Sequence, residues 1–317
     1  MTVKSRSKKF EVNDSRFPNE HIKNRSNVVN DLTAIDVNLR YMPTWEEAKA
    51  FLPDAIMSTW AAKSDEYDFT EHQKDALMYR ALRKKFLPQY LEFVNVVFSV
   101  DGMTAHDLSH TLRNRNASFA VECTGDNYKN RNDVSMPEAY NELGLSHEYE
   151  ALATLQMDLY AKAINSGMSV QDARLILPRG IHQFVMLRMT LGNALGLITQ
   201  RIDTQIQPRS DNVFALQLAV AMCKKWPLLA TLIDFDDTNW YYVKETTTNF
   251  ASRFFKPLPQ NDKFENDDIE FKFDADPLHI PGQKTFIKLL NKYKDELLAI
   301  RKQAEADYPW VFDEDYR

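Results

Sequence analysis

The stretch RNRNASFAVEC at residues 113–123 places Arg113 and Arg115 on either side of Asn114, then seven residues, then Cys123. A second segment, DARLILP at 172–178, carries Arg174, and Arg201 follows that arginine after 27 positions. A lone Arg-Asn-Arg tripeptide means nothing, because surface arginines are commonly solvated or ion-paired. Arginines repeated at fixed distances along apolar segments are more informative, since a local arginine cluster holds a single phosphate even on an acidic protein.

The spacing resembles that of the flavin-dependent thymidylate synthase family. Its members carry Arg-His-Arg, seven residues and Ser, an ARxxLP segment whose arginine helps bind the nucleotide, and an arginine 27 residues further on that faces the pyrimidine. The resemblance implies an α/β fold, a small sheet flanked by long helices, with N- and C-terminal extensions. It also implies a homotetramer whose active sites draw on several subunits. By the same resemblance Arg113, Arg115 and Arg174 bind a pyrimidine deoxynucleotide monophosphate, His110 lies near it, and Arg201 stabilises charge on the ring. Asn114 and Arg115 fall where the family grips FAD, and methylenetetrahydrofolate is the implied one-carbon donor. The departures cluster on the flavin side. Asn114 replaces the family's His, Thr190 and Gly192 replace a flavin-contacting Asn and Arg, Gly196 and Gln205 replace a later Asn and His, and TGDN stands where the family has SGRY.

Composition bounds the rest. With 317 residues, 44% apolar and 12% aromatic, the chain buries a substantial core. A net charge of -6 argues against duplex nucleic acid held by broad phosphate neutralisation. Cys123 and Cys223 are the two cysteines, without a CxxC motif or a secretory start, which predicts free thiols and a cytoplasmic protein. The sequence holds no apolar run of about 18 residues, so no membrane span is expected. Of the seven histidines, His106 and His110 share helical i, i+4 spacing, and without HExxH no metal site is expected.

Along the chain, residues 1–40 read as a polar arm, 41–255 as the catalytic domain and 256–317 as an appended C-terminal extension. Thr44 with Glu47, Thr104 with Asp107, and Ser169 with Asp172 predict helix caps, and Thr70 opens an amphipathic helix. LEFVNVVFSV (91–100) predicts a buried strand ending in a turn at Asp101-Gly102, and HQFVMLRMT (182–190) a second strand. Helices are expected near 146–166, 191–202, 210–225 and 283–306, and a short one containing Arg174. Gly192 and Gly196 lie on one side of their helix, where close packing would recover a cost of about 1 kcal/mol each. The IEFKF segment at 269–273 reads as a short strand.

C5 of uracil is a poor nucleophile. Attaching carbon there requires either a thiolate added at C6 or a fixed cation that stabilises negative charge at N3 and O4. Arg201 suits the second route. Cys123 suits the first, because two nearby guanidinium groups would lower its pKa, although a free cysteine is more commonly a small core residue. Glu122 and Thr124 flank Cys123 within reach of a ribose or phosphate, and Cys223, in an apolar helix, reads as core. The resemblance implies a thymidylate synthase-like transferase converting dUMP to dTMP, and two alternatives stand beside it: a flavin-independent hydroxymethyltransferase using Cys123, and a non-catalytic nucleotide-binding or assembly protein.

Overall fold

Side-chain chemistry in the sequence sets most helix starts. Thr44, Thr70 and Thr104 each accept a backbone N–H from the third helical residue, and that residue, Glu47, Gln73 or Asp107, accepts the threonine's own N–H in return. Thr190 and Ser169 cap through the hydroxyl alone. The computed structural model describes residues 27–58, 68–83, 88–114, 116–122, 133–202, 208–233 and 281–312.

In chain order, β1 (Asn27–Asn30), a one-turn α1 (Asp31–Ala34) and β2 (Asp36–Tyr41) precede α2 (Trp45–Lys49), α3 (Leu52–Met57) and α4 (Glu71–Leu82). A 3-10 turn at Pro88–Phe93 leads to β3 (Asn95–Thr104), α5 (Ala105–Thr111) and β4 (Ala117–Val121). Next come β5 (Asp133–Met136), α6 (Glu138–Glu142), the long α7 (Ser146–Asn165), and α8 (Val170–Ala173) with its 3-10 continuation Arg174–Ile176. The chain then forms β6 (His182–Thr190), α9 (Leu191–Arg201), α10 (Arg209–Lys225) and α11 (Gln283–Asp307). The strands make an antiparallel sheet of order β2-β3-β6-β4 and a separate parallel pair, β1 with β5. Among the described residues no helix is long and apolar enough to cross a membrane.

The core forms where β3 and β6 lay Val96, Phe98, Val100, Val185, Leu187 and Met189 against the helices. Helix α10 runs through it, with Val213, Phe214, Ala215 and Leu216 buried in succession, the pattern of a helix surrounded on all sides. Its Gln217 takes the place of a missing neighbour strand: Oε1 accepts the Val37 N–H at 3.0 Å and Nε2 donates to the Ile35 carbonyl at 2.8 Å. Edge-strand groups that would otherwise stand unpaired are thereby satisfied. At the far end Trp226 donates to the Pro43 carbonyl at 2.8 Å and packs edge-on against Trp45, ring centroids 5.1 Å apart.

Several expectations need revision. The Asp101-Gly102 pair does not end the strand. β3 continues to Thr104, and its register against β6 shifts between Val100 and Met103, so the pair forms a bulge within the strand. The strand also starts later than expected, because Pro88–Phe93 is a 3-10 turn. Residues 27–40 of the expected arm contribute β1, α1 and most of β2. Within the expected extension, α11 sets Phe286, Leu290, Tyr293 and Leu297 into the main core. Close packing holds at Gly192, where a Cβ would stand 3.3 Å from that of Leu91, but nothing lies within 4 Å of one at Gly196. Cys223 is buried as expected, and burial raises its thiol pKa. The IEFKF segment lies outside the described residues.

Gly102 has φ +75, and a Cβ there would meet the Ala34 carbonyl oxygen at 2.0 Å. Gly102→Ala combines a left-handed backbone with a direct clash, so it should lose at least about 2 kcal/mol in urea unfolding. A change within about 0.5 kcal/mol, the usual range at surface sites, would show that the bulge relaxes freely.

Candidate active site

Three helix ends meet at one buried place: the C-terminal ends of α5 and α9 and the first turn of α10. That first turn is polar in an otherwise apolar helix, with Ser210, Asp211 and Asn212 all buried. Ser210 Oγ donates to Asp107 Oδ1 at 2.7 Å, while Asp107 Oδ2 accepts from the Thr104 N–H at 3.0 Å and the Thr104 hydroxyl at 2.7 Å. Asp107 is therefore both the cap of α5 and its tie to α10.

Asp211 is 0% exposed and accepts from Arg201 Nη1 at 3.1 Å. Asn212 Nδ2 donates to the Arg201 carbonyl at 2.8 Å, and Arg201 Nη2 donates to the His110 carbonyl at 2.7 Å. The same carbonyl accepts the Arg113 N–H at 3.3 Å as α5 ends. The side chain of Arg201 is 12% exposed, so its guanidinium has a fixed aim and little freedom to turn.

The electrostatics reflect this burial. Loss of solvent pushes the Asp211 carboxyl up to about 7 against the opposing pull of Arg201, with the nearby charge of Asp107 adding to the rise. Burial likewise lifts Asp31, on α1, to about 7, with Asp107 again contributing. His110 moves the other way. Burial and the neighbouring His106, Arg201 and Arg113 lower its pKa below the usual imidazole value.

The residues singled out from sequence separate into groups. His110, Arg113 and Arg201 come together, with Arg113 exposed beyond the end of α5. Asn114 spends its Oδ1 on the Asn116 N–H at 3.1 Å, making the turn into β4. Glu122 extends the sheet past β4, its N–H donating to the Phe184 carbonyl at 2.9 Å and its Oε2 accepting the Phe184 N–H at 3.3 Å. Arg174 is exposed on the 3-10 turn just beyond α8, and among the described residues no hydrogen bond or ion pair joins it to His110, Arg201 or Asp211. Arg115, Cys123 and Thr124 lie outside the described residues. The sequence reading overlooked Asp211 and saw Asp107 only as a cap. The available signal was the polar trio Ser-Asp-Asn heading an apolar helix.

A sequence profile of the thymidylate synthase complementing protein family matches residues 39–227, more than half of the chain and the whole of this helix junction. The chain belongs to that family. Among solved structures it is similar to the UMP/dUMP methylase PolB from Streptomyces cacaoi bound with 5-Br dUMP. The TM-score is 0.52 at 16% identity, covering 63% of this chain and 92% of that one. It is also similar to Thymidylate Synthase X from Helicobacter pylori with FAD and dUMP, at a TM-score of 0.47 and 17% identity, covering 59% and 92%. No curated protein matches the chain. The likeness to PolB shows the fold, and the mixed α/β architecture agrees with it.

The positions that the sequence resemblance assigns to flavin contacts are Thr190, at the cap of α9, and Gly192 and Gly196 on that helix. Thr190 uses its hydroxyl to accept the Asn193 N–H at 3.4 Å, Gly192 packs against Leu91, and Gly196 presents no side chain to open space. These three positions offer neither the guanidinium nor the carboxamide with which, by the resemblance, the family contacts its flavin.

The two raised carboxyls give stability a pH dependence of definite sign. Between about pH 4 and pH 7 the folded chain holds protons on Asp31 and Asp211 that the unfolded chain has released, so stability falls as pH rises through that window and levels off above it. Urea midpoints should therefore be higher near pH 5.5 than near pH 7.5, and Asp31→Asn should flatten the difference. A midpoint that rises over this interval in the wild type would contradict the raised values.

Proposed function

We propose that this protein is a nucleotide-metabolism transferase that moves a one-carbon unit from methylenetetrahydrofolate to C5 of a pyrimidine deoxynucleotide monophosphate. The observation that carries this reading is the bond from Arg201 to the His110 carbonyl, which closes the two arms of the family motif onto one point. Family membership and the likeness to PolB, a UMP/dUMP methylase bound with 5-Br dUMP, support the substrate class.

In this reading Arg113, exposed at the end of α5, meets the phosphate. Arg201, fixed by Asp211, presents a cation to N3 and O4 as C5 attacks, and a preorganised charge of this kind is worth several kcal/mol of barrier. Arg174 binds nucleotide across a subunit boundary in a homotetramer. Support for assembly comes from α7, which leaves Leu152, Leu155 and Leu159 exposed along one side, Leu155 by 64%, with Leu175 beside Arg174 exposed by 82%.

The fate of the transferred carbon divides two versions. In the thymidylate synthase version dUMP becomes dTMP, and a flavin supplies the hydride. The poor fit at Thr190, Gly192 and Gly196 favours the second, in which water captures the methylene group and the product is a hydroxymethyl nucleotide. Cys123 is the thiol that would assist this version by adding at C6.

Mass analysis of the product from dUMP and methylenetetrahydrofolate distinguishes methyl from hydroxymethyl, and the absence of any product would refute the transferase reading. In calorimetry the bare nucleoside should bind at least about tenfold more weakly than the monophosphate, since a charge-assisted phosphate contact is worth about 1.5 to 3 kcal/mol. Equal affinities would remove the phosphate role of Arg113 and Arg174. Flavin should be substoichiometric in the purified protein, and a stoichiometric yellow cofactor would restore the methylating version.

A further inference from the structure

We propose that His110, backed by Asp211, is the base that removes the C5 proton of the pyrimidine, an assignment that rests on the transferase reading above. The geometry is that of an imidazole with one nitrogen turned inward and the other turned out. His110 Nδ1 is buried, has no hydrogen-bond partner among the described residues, and lies 3.6 Å from Asp211 Oδ2. The side chain as a whole is 23% exposed, so the opening is on the Nε2 side. Asp211 Oδ1 is buried and likewise without a partner.

A carboxylate behind Nδ1 selects the tautomer with its proton there and a lone pair on Nε2, the form that accepts a proton. The 3.6 Å separation closes to hydrogen-bond range with a ring shift of about half an ångström. Contacts of this kind commonly tighten only when substrate is bound. The groups facing the ring are His106 and Asp107 on its own helix, Arg113 just beyond it, Arg201 from α9 and Asp211 from α10. Burial and the cations keep the free imidazole neutral near pH 7, as a base must be. Asp211 then meets the positive charge that forms.

The step balances without a redox partner. C5 attacks the methylene carbon of the folate iminium, and the C=N electron pair moves onto the folate nitrogen, leaving C6 electron-poor. The C5–H bond then breaks, its electron pair restores the C5=C6 double bond, and the proton passes to His110 Nε2. Arg201 and His110 thus act in succession on one ring, held together by the carbonyl bond that links them.

The test is tritium release from 5-tritiated dUMP in the presence of methylenetetrahydrofolate. Wild type should release tritium with an acidic limb, the rate falling as pH drops from about 7, where Asp211 takes up a proton and no longer accepts from Nδ1, and on through the lowered pKa of His110. His110→Gln should lower kcat for release by about 100-fold or more, the usual worth of a positioned base, and change KM for the nucleotide little. Added imidazole should restore part of the rate in His110→Ala. Asp211→Asn should lower kcat and leave the acidic limb displaced. Release by His110→Gln at the wild-type rate, or a wild-type profile without the acidic limb, would overturn the assignment while leaving the transferase intact. A wild type that releases no tritium would refute the transferase reading and the base together.

Discussion

The ion pair between Arg201 and the fully buried Asp211 is the constraint from which the rest of this junction follows. A carboxylate and a guanidinium removed from water cost several kcal/mol each, and only good geometry with further hydrogen bonds recovers that cost. Here the guanidinium gains the His110 carbonyl and the carboxylate gains the first turn of α10, where the helix dipole favours negative charge. Asp107 solves the same problem differently. Its two oxygens accept from Thr104 and Ser210, so it needs no cation. The result is a buried polar layer that ties three helices together.

Such a layer is costly as a means of stability, because replacing buried ion pairs by hydrocarbon is often neutral or better. What it provides here is aim. The guanidinium of Arg201 is held at two nitrogens and turned toward the end of α5, where Arg113 and the His110 ring also stand. The orientation of this guanidinium is thereby set by the fold. Burial raises the pKa of Asp211, outweighing the cation beside it.

Much of the fold was legible in the sequence because local chemistry wrote it. Capping threonines marked α2, α4 and α5, and the apolar runs of β3 and β6 gave the two central strands. What was missed depended on distant partners. Gly102 looked like a turn because Asp-Gly usually is one, yet its φ serves a bulge that lets Ala34 approach. Residues 27–40 looked like an arm because their strands are half-exposed and pair with β5 and β3, far along the chain. Spacing singled out Arg113 and Arg201, which lie at one junction. Asp211 was not legible, because its meaning comes from Arg201 across a helix packing that spacing alone does not show.

The same division separates the polar junction from the outer side of α9. The polar junction at α5, α9 and α10 sits inside the core, where changing one group strands its partner, and loss of one member of a buried pair costs about 3 to 5 kcal/mol. Thr190, Gly192 and Gly196 lie on the outer side of α9, where the neighbouring positions are partly exposed and no buried charge depends on them. At Gly192 the close approach of Leu91 further disfavours a side chain. Gly196 has open space around it, so substitution there carries little penalty for folding, whereas each group of the polar junction is held by the partner it would strand.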